Sequence, residues 1–249
     1  MPIHKTEALI LTRRDFRETS LITDFYSRDF GRLSGLLKGI RTEPKKFASS
    51  MEPFSLNEIV FYRNRSSGLH LVSQCDLKDN FTALRSNLAR FAMASVITEM
   101  VSAIMQPEDK NSEIFDLLLN VLSEMSVSPN PEKVLTIFKI KMLSLSGFKP
   151  HLDSCVTCQD KIMGNSKFSL SLGGLICQKC CHKDLSARAI FRGTIASILY
   201  IEKSDFKGTL NLGLNPQIKK EELILNAFIK FHLEKDLKSE RVAERLVGV

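Results

Sequence analysis

The sequence lacks the compact motifs of several enzyme classes. It contains no G-x-x-x-x-G-K-[ST] phosphate loop, no G-x-S-x-G elbow and no H-E-x-x-H helix. Its five histidines are scattered, and its acidic residues are dispersed among basic ones instead of forming the carboxylate cluster of a two-metal nuclease. These absences favour a binding protein over an enzyme, although a hydrolase whose residues converge from distant positions remains an alternative.

Long apolar runs are also missing. No apolar stretch approaches the roughly 20 residues that cross a bilayer. The first residues, MPIHKTEALI, lack the charged-then-apolar plan of a signal peptide. We therefore expect a cytoplasmic protein without a membrane partner. Disulfides do not persist in a reducing cytoplasm, so the six cysteines indicate metal binding.

Basic residues exceed acidic ones over the whole chain. The net charge is +7 and the isoelectric point is about 9.1, which favours a polyanionic partner. The hydrophobic fraction of 43% is spread along the chain in short periodic runs, as in a globular protein with a real core.

Short apolar segments separated by polar or glycine-containing breaks follow one another over the first third of the chain. There are five of them: EALILT, SLITDFYS, GRLSGLLKG, SLNEIVFYRN and GLHLVSQCDL. They predict five β-strands. The OB-fold is the commonest five-stranded barrel that binds nucleic acid, and an SH3-like or other small barrel is the alternative.

A helical period begins after Leu77. Apolar residues recur at steps of three to five in FTALRSNLARFAMASVITEMVSAIM, which predicts one face of a helix. A second helix is predicted at IFDLLLNVLSEM. A third is predicted from Pro131, with Asn130 as its cap, to Gly147. Two further amphipathic helices are predicted at ARAIFRGTIASILYIEK and EELILNAFIKFHLEKDLKSERVAERL.

Two C-x-x-C pairs, separated by an 18-residue spacer, lie between the helical stretches. This spacing falls inside the pattern C-x2-C-x15–20-C-x2-C of zinc sites. It predicts one zinc ion, held by Cys155, Cys158, Cys177 and Cys180. Four thiolates leave no open coordination position, so the site would be structural. Free thiols with this spacing by chance are the alternative. Cys181, His151 and His182 flank the site and are alternative ligands.

Basic and aromatic residues cluster in the predicted barrel. Between Arg28 and Lys46 the chain has six basic residues against two acidic ones. Backbone charge and stacking rings together hold single-stranded nucleic acid, whereas a solvated basic loop is the alternative. The predicted DNA contacts are Arg13, Arg14, Arg28, Arg32, Lys38, Arg41, Lys45 and Lys46, with Phe25, Tyr26 and Phe30 as possible stacking rings.

Four stretches resemble, in order, the RecO family of bacterial recombination mediators. They are EALILTRRDFRETSLITDFYSRDFGRLSGLLKGIR with MEPFSLNEIVFY, then MLSLSGFKPHLDSCVTC, LGGLIC and FIKFHLEKDLKSERVAERL. The first contains the segment R-x-F/Y-x-E-x-S and a terminal K-G-x-R. Together the stretches span more than 200 residues of the chain.

The resemblance implies an α+β fold: an N-terminal OB-fold β-barrel followed by an α-helical domain with an inserted four-cysteine zinc finger. We place the DNA-binding barrel at residues 1–80, the helical body at 81–150, the finger at 151–185 and the rest of the helical body at 186–249.

The resemblance also implies a non-enzymatic role in the RecF pathway of DNA repair. Such a protein binds single- and double-stranded DNA, anneals complementary strands and, with RecR, assists RecA loading on DNA coated by single-strand-binding protein (SSB). It would be cytoplasmic and associated with the nucleoid during repair. A zinc-ribbon or small-barrel interaction protein of transcription or translation is the alternative.

Overall fold

A computed structural model describes most of the chain and divides it into two compact units. The described residues are 2–43, 47–49, 51–64, 66–162, 164–213, 216–233 and 236–247, without the side chains of 216–223 and 247. One unit comprises Met1–Pro131 with Lys238–Val249, and the other comprises Glu132–Leu237. The predicted division into four segments stays a prediction beside this one.

The first unit begins with a closed five-stranded barrel. Its strands are β1 (Ile3–Phe16), β2 (Ser20–Ser27), β3 (Gly31–Leu37), β4 (Leu56–Tyr62) and β5 (Leu69–Asp79). They pair in the order β1-β2-β3-β5-β4, and β4 pairs with β1 to close the barrel. All pairs are antiparallel except β3 with β5. The five predicted strands and the OB-type barrel are therefore confirmed.

Alternate residues of the strands fill the barrel, as the pleat requires. Phe25, Leu33, Phe61 and Val72 are buried there together. Gly35 lies against this layer, because a Cβ at Gly35 would come 2.6 Å from Val72 Cγ2 and 2.9 Å from the Phe25 ring. A larger residue at Gly35 would therefore displace core side chains.

Helices complete the first unit. They are α1 (Thr82–Arg85), α2 (Leu88–Ile104), α3 (Ser112–Val127) and α8 (Lys238–Val247). The first predicted helix is interrupted after Arg85, where the Asn87 side chain accepts a hydrogen bond from the backbone N–H of Arg90 and caps α2. The last predicted helix is also interrupted. Glu99 of α2 accepts hydrogen bonds from the backbone N–H groups of Lys238 and Ser239, so a carboxylate caps the start of α8.

The second unit combines helices with a small sheet. Its helices are α4 (Pro131–Leu145), α5 (Arg192–Lys203), α6 (Phe206–Leu210) and α7 (Pro216–Leu233). Helix α4 begins at Pro131 as predicted, and Gly147, with φ 81°, follows its end. The sheet has the order β7-β6-β8, with β6 (Ser166–Ser169), β7 (Gly174–Cys177) and β8 (Arg188–Ala189). Throughout the described ranges, every helix is too short or too polar to cross a bilayer.

Candidate metal centre and nucleic-acid interface

The four predicted zinc ligands come together in the second unit. Cys155 and Cys158 lie in the loop after α4, Cys177 ends β7, and Cys180 lies in the following 3-10 helix, Gln178–Lys183. All four sulfur atoms lie within 4.8 Å of one another. The small sheet thus brings two local turns, distant in sequence, to one point.

The sulfur separations fit a tetrahedral zinc ion. Sulfurs bound to zinc at about 2.3 Å are about 3.8 Å apart at the corners of a tetrahedron. Cys158 Sγ and Cys177 Sγ are separated by 3.8 Å, far longer than a disulfide bond of about 2.0 Å. All six cysteines are free thiols. The site is therefore compatible with a zinc ion held by four cysteines.

Backbone groups around Cys155 favour a thiolate. Burial raises the pKa of the Cys155 thiol, but hydrogen bonds from the backbone N–H groups of Cys158, Cys177 and Thr157 outweigh burial and lower this pKa to about 6. The N–H of Cys177 donates to Cys155 Sγ over 3.4 Å. Because zinc binds the thiolate, these donors prepare the site for metal.

The neighbouring alternative ligands point to other partners. The His151 ring is hydrogen-bonded to Ser154 Oγ at 2.7 Å, and the His182 ring to the carbonyl oxygen of Lys179 at 3.0 Å. Cys181 is partly exposed and stands outside the sulfur cluster. Among the described residues that bear metal-binding atoms, the four predicted cysteines are the ones that form a candidate metal site.

Asp184 fixes the backbone just beyond the second cysteine pair. Its carboxylate accepts hydrogen bonds from Ser169 Oγ at 2.5 Å, Ser171 Oγ at 3.1 Å and Ser186 Oγ at 2.6 Å. These bonds, chiefly those from Ser169 and Ser186, lower the pKa of Asp184 to about 2. The 3-10 helix that carries Cys180 is thereby tied to the β6–β7 turn.

In the barrel, Arg28 is held by the protein itself. Its Nε donates to Glu7 Oε2 at 3.0 Å, and its Nη1 donates to Asp116 Oδ1 at 2.8 Å. The guanidinium also lies 4.5 Å from the centre of the Phe115 ring. These contacts, led by the Asp116 hydrogen bond, outweigh burial and raise the pKa of Arg28. Arg28, the residue after β2, thus joins the end of this strand to β1 and α3.

Three other predicted contact residues also have partners within the first unit. Arg13 pairs with Glu52 at 3.1 Å, and Arg41 pairs with Asp15 at 3.3 Å. Arg32 Nη1 donates to the carbonyl oxygen of Ser102 at 2.9 Å. The Arg13 and Arg41 side chains are 38% and 41% exposed, so these are surface pairs of low stability that a phosphate can replace.

Arg14 and Lys38 differ from these arginines. Both are exposed, and neither forms a hydrogen bond or ion pair within the part of the chain that the structure describes. Lys45 and Lys46 lie outside the described residues. Of the predicted contacts that the structure describes, Arg14 and Lys38 are therefore the ones whose charges are available without breaking a contact in the protein.

The prediction that Phe25 and Tyr26 stack on bases is wrong for this structure. Both residues are 0% exposed. Phe25 belongs to the barrel core, and Tyr26 OH donates to the carbonyl oxygen of Asn111 at 3.3 Å, at the start of α3. Burial also raises the pKa of Tyr26 above its usual range. Strand alternation points Phe25 inward, and Tyr26, on the opposite face of β2, lies against the start of α3.

The third ring, Phe30, is partly exposed at the end of the barrel. It packs edge-on against His4, with ring centres 4.9 Å apart, and against Phe61 at 5.4 Å. One edge of Phe30 is thus used by the core. Stacking on a base by Phe30 stays a prediction.

A groove of about 340 Å³ on the outer surface of the barrel was missed by sequence reasoning. It lies between β1–β3, the β4–β5 turn and the segment that follows α2. The lining residues include Arg14, Arg32, Ser67, Leu69, Pro107 and Glu108. Neither periodicity nor a charge run could have found it, because it joins three parts of the chain.

Glu108 is held in that groove by Arg63, by the buried His70 ring and by its own backbone. Its Oε2 is paired with Arg63, and its Oε1 lies 3.4 Å from His70 Nε2. His70 is 2% exposed, and burial lowers its pKa despite Glu108. The N–H of Glu108 donates to the carbonyl oxygen of Arg32 at 2.9 Å. The carboxylate is therefore fixed to the barrel by both its side chain and its backbone.

Comparison with known proteins gives this architecture a family. The family model "Recombination protein O N terminal" matches residues 1–81, and "Recombination protein O C terminal" matches residues 85–241. The chain belongs to the RecO family. The resemblance read from the four sequence stretches is thereby confirmed.

Full-length relatives support the same assignment. The chain is 30% identical over 250 residues to the DNA repair protein RecO of Syntrophus aciditrophicus, covering 98% of this chain and 96% of the relative. It is 29% identical over 245 residues to the DNA repair protein RecO of Caldanaerobacter subterraneus, covering 97% and 98%. This RecO-family chain therefore aligns with its relatives across the barrel, the helices and the cysteine site.

Proposed function

We propose that this RecO-family chain is a non-enzymatic recombination mediator of the RecF pathway. In this role it binds single- and double-stranded DNA and anneals complementary strands. With RecR, it assists RecA loading on DNA coated by SSB. Its place of action is the cytoplasm, at the nucleoid during repair.

One observation carries this proposal: both halves of the chain match a recombination protein family. The barrel, which exposes cations on an OB-type scaffold, supports it. OB-folds bind single strands through positively charged grooves. The described part of the chain brings four cysteines together at one candidate metal site, where four thiolate ligands would leave a zinc ion no open position for a substrate. These features fit a binding protein that organises DNA strands.

We infer that Arg14 and Lys38 are the primary phosphate contacts. Three further residues would contact phosphates after giving up their present partners in the protein: Arg13, Arg32 and Arg41. The predicted contacts Lys45 and Lys46 lie outside the described residues. Arg28 would act indirectly, through the stability of the barrel.

We infer further that one zinc ion occupies the four-cysteine site and stabilises the second unit. Four thiolate ligands fill the coordination sphere of zinc, so the metal would supply folding energy and no open position for a substrate. The proposed DNA contacts all lie in the other unit. Zinc therefore supports the fold rather than strand annealing.

Strand annealing with purified full-length protein tests the proposed function. Complementary oligonucleotides, bare or coated by SSB, are mixed with the protein, and duplex formation is followed over time. The proposal expects faster annealing in both cases and binding that weakens steeply with salt. Absence of annealing together with salt-insensitive binding would refute it. Release of nucleotides or phosphate would indicate a hydrolase instead.

Charge variants connect the activity to the barrel. Loss of each phosphate contact should flatten the slope of log affinity against log salt by about 0.7 for single strands. Arg14→Ala combined with Lys38→Ala should therefore reduce the slope by about 1.4. Lys161→Ala combined with Lys179→Ala, two exposed cations of the other unit, provides a matched control that should leave the slope unchanged.

A further inference from the structure

The groove on the barrel surface carries opposite charges on its walls. Arg14 is exposed and offers a cation to solvent. Glu108 lines the same groove, and its side chain is 33% exposed. A groove made for phosphate alone would not hold a carboxylate, because like charges repel. The arrangement suits a ligand that has an anionic group and a hydrogen-bond donor.

The remaining walls suit a flat, partly apolar group. Ile22, Leu69 and Pro107 supply apolar surface. The volume of about 340 Å³ lies at the lower end of the range of about 300–1,000 Å³ for small-molecule sites. One nucleotide unit has these properties: a phosphate, a flat base and polar groups on the base edge. A nucleotide of a single strand presents that edge freely.

Glu108 can discriminate between bases by their donors. An ionised carboxylate offers about four acceptor sites, so Glu108, bonded to Arg63 through Oε2 and lying 3.4 Å from His70 Nε2 through Oε1, has capacity for a further hydrogen bond. Cytosine carries an amino donor at the position where thymine carries a carbonyl oxygen. The carboxylate would bond to the cytosine amino group, whereas the one thymine donor on this edge, N3–H, lies between two carbonyl oxygens that repel a carboxylate.

We propose that this groove binds one nucleotide of single-stranded DNA, with the phosphate at Arg14 and an amino-bearing base edge at Glu108. The inference rests on the proposed DNA-binding function and adds a base preference to it. Backbone bonding of Glu108 to Arg32 holds the acceptor in place before DNA arrives. Recognition by a fixed acceptor costs little ordering entropy.

Binding of oligo(dC) and oligo(dT) of equal length tests the inference. Both are titrated by fluorescence anisotropy with the full-length protein in slightly alkaline buffer, where cytosine is unprotonated. One hydrogen bond of typical strength predicts a preference for oligo(dC) of about two- to tenfold. Glu108→Gln should reduce this preference to near unity, since an amide can donate to thymine as well as accept from cytosine.

Two variants separate base recognition from charge and folding. Arg14→Ala should weaken both oligonucleotides by the same factor and flatten both salt slopes by about 0.7. Glu113→Gln removes the same charge at an exposed position of α3 and should keep the preference. A purely structural role of Glu108 would change the affinities for both oligonucleotides together, without altering their ratio.

The outcomes distinguish this inference from the proposal on which it rests. Equal binding of oligo(dC) and oligo(dT) by the unaltered protein would overturn the inference and leave DNA binding intact. A preference that survives Glu108→Gln would also overturn it. Failure to bind either oligonucleotide would overturn the DNA-binding proposal and the inference with it.

Discussion

Replacing Arg28 by Ala should destabilise the barrel and leave the DNA affinity of the folded protein almost unchanged. The side chain joins Glu7 of β1 and Asp116 of α3, and it lies over Phe115. Ala removes all three contacts at once. The charge of Arg28, predicted from the sequence to contact DNA, is thus already used inside the molecule.

The magnitude follows from the exposure of the partners. The Arg28, Glu7 and Asp116 side chains are 35%, 39% and 55% exposed, so each ion pair contributes about 0.2–1 kcal/mol. The cation–π contact adds about 0.5–1 kcal/mol. We therefore expect a loss of about 2 kcal/mol in the free energy of unfolding. For a chain of this size, that loss corresponds to a fall in Tm of about 4–8 °C.

Thermal melting combined with hydrogen exchange measures this loss of stability in the first compact unit, which contains Arg28. The two units need not unfold together, so exchange of the β1, β2 and α3 amides must report the change. Arg28→Lys should lose part of the stability, because an ammonium cannot reproduce the fork-shaped pairing. Arg14→Ala, at an exposed site, should shift stability by less than about 0.5 kcal/mol.

The opposite pattern would refute this reasoning. If Arg28→Ala melts like the unaltered protein but binds single strands weakly with a flatter salt slope, Arg28 is a phosphate contact. The melting temperature and the salt slope of Arg14→Ala, measured in the same way, provide the comparison. Stability and salt slope together thus assign each arginine to the fold or to DNA.

Two further sites give separate predictions. Cys177→Ser should abolish the binding of one zinc ion per chain, measured by metal analysis, and lower the melting temperature of the second unit. The control Cys181→Ser should keep one zinc ion per chain. Unaltered reduced protein that contains no zinc would contradict the assignment. Gly31→Ala should destabilise the first unit by more than about 2 kcal/mol, because its Cβ would overlap the Asp109 carbonyl at a residue with φ 63°. Gly39 has φ 75° and open space around it, so Gly39→Ala should lower the free energy of unfolding in urea by only about 1 kcal/mol. Equal losses of stability in Gly31→Ala and Gly39→Ala would exclude the overlap with Asp109 as the cause.

The four-cysteine cluster was predictable because its geometry is local. Each C-x-x-C turn places two thiols on one side of a short backbone segment, so only the meeting of the two turns had to be assumed. Strand positions were predictable for a similar reason, since alternation and turn residues act over a few neighbours. The breaks before α2 and α8 were not predicted, because apolar residues keep their helical spacing on both sides of a capping residue such as Asn87.

The roles of the barrel side chains could not be predicted in the same way. Tyr26 precedes the basic run in sequence, yet in the fold it is buried and its hydroxyl donates to the carbonyl oxygen of Asn111, just before α3. Arg28 pairs with Asp116, which lies 88 residues away in the sequence, and Arg63 pairs with Glu108, which lies 45 residues away. Which side chains pair in this way depends on how the segments after the barrel pack against it.

The sequence by itself therefore determined the five barrel strands, most of the helical stretches, the family and the four candidate metal ligands, because short-range periodicity and spacing encode them. Tertiary structure alone decided which cations stay exposed, which aromatic rings are buried and where the groove with Glu108 lies. The physical reason is that side-chain burial and ion pairing depend on surfaces brought together from distant segments, and each pairing changes the charge that remains for DNA.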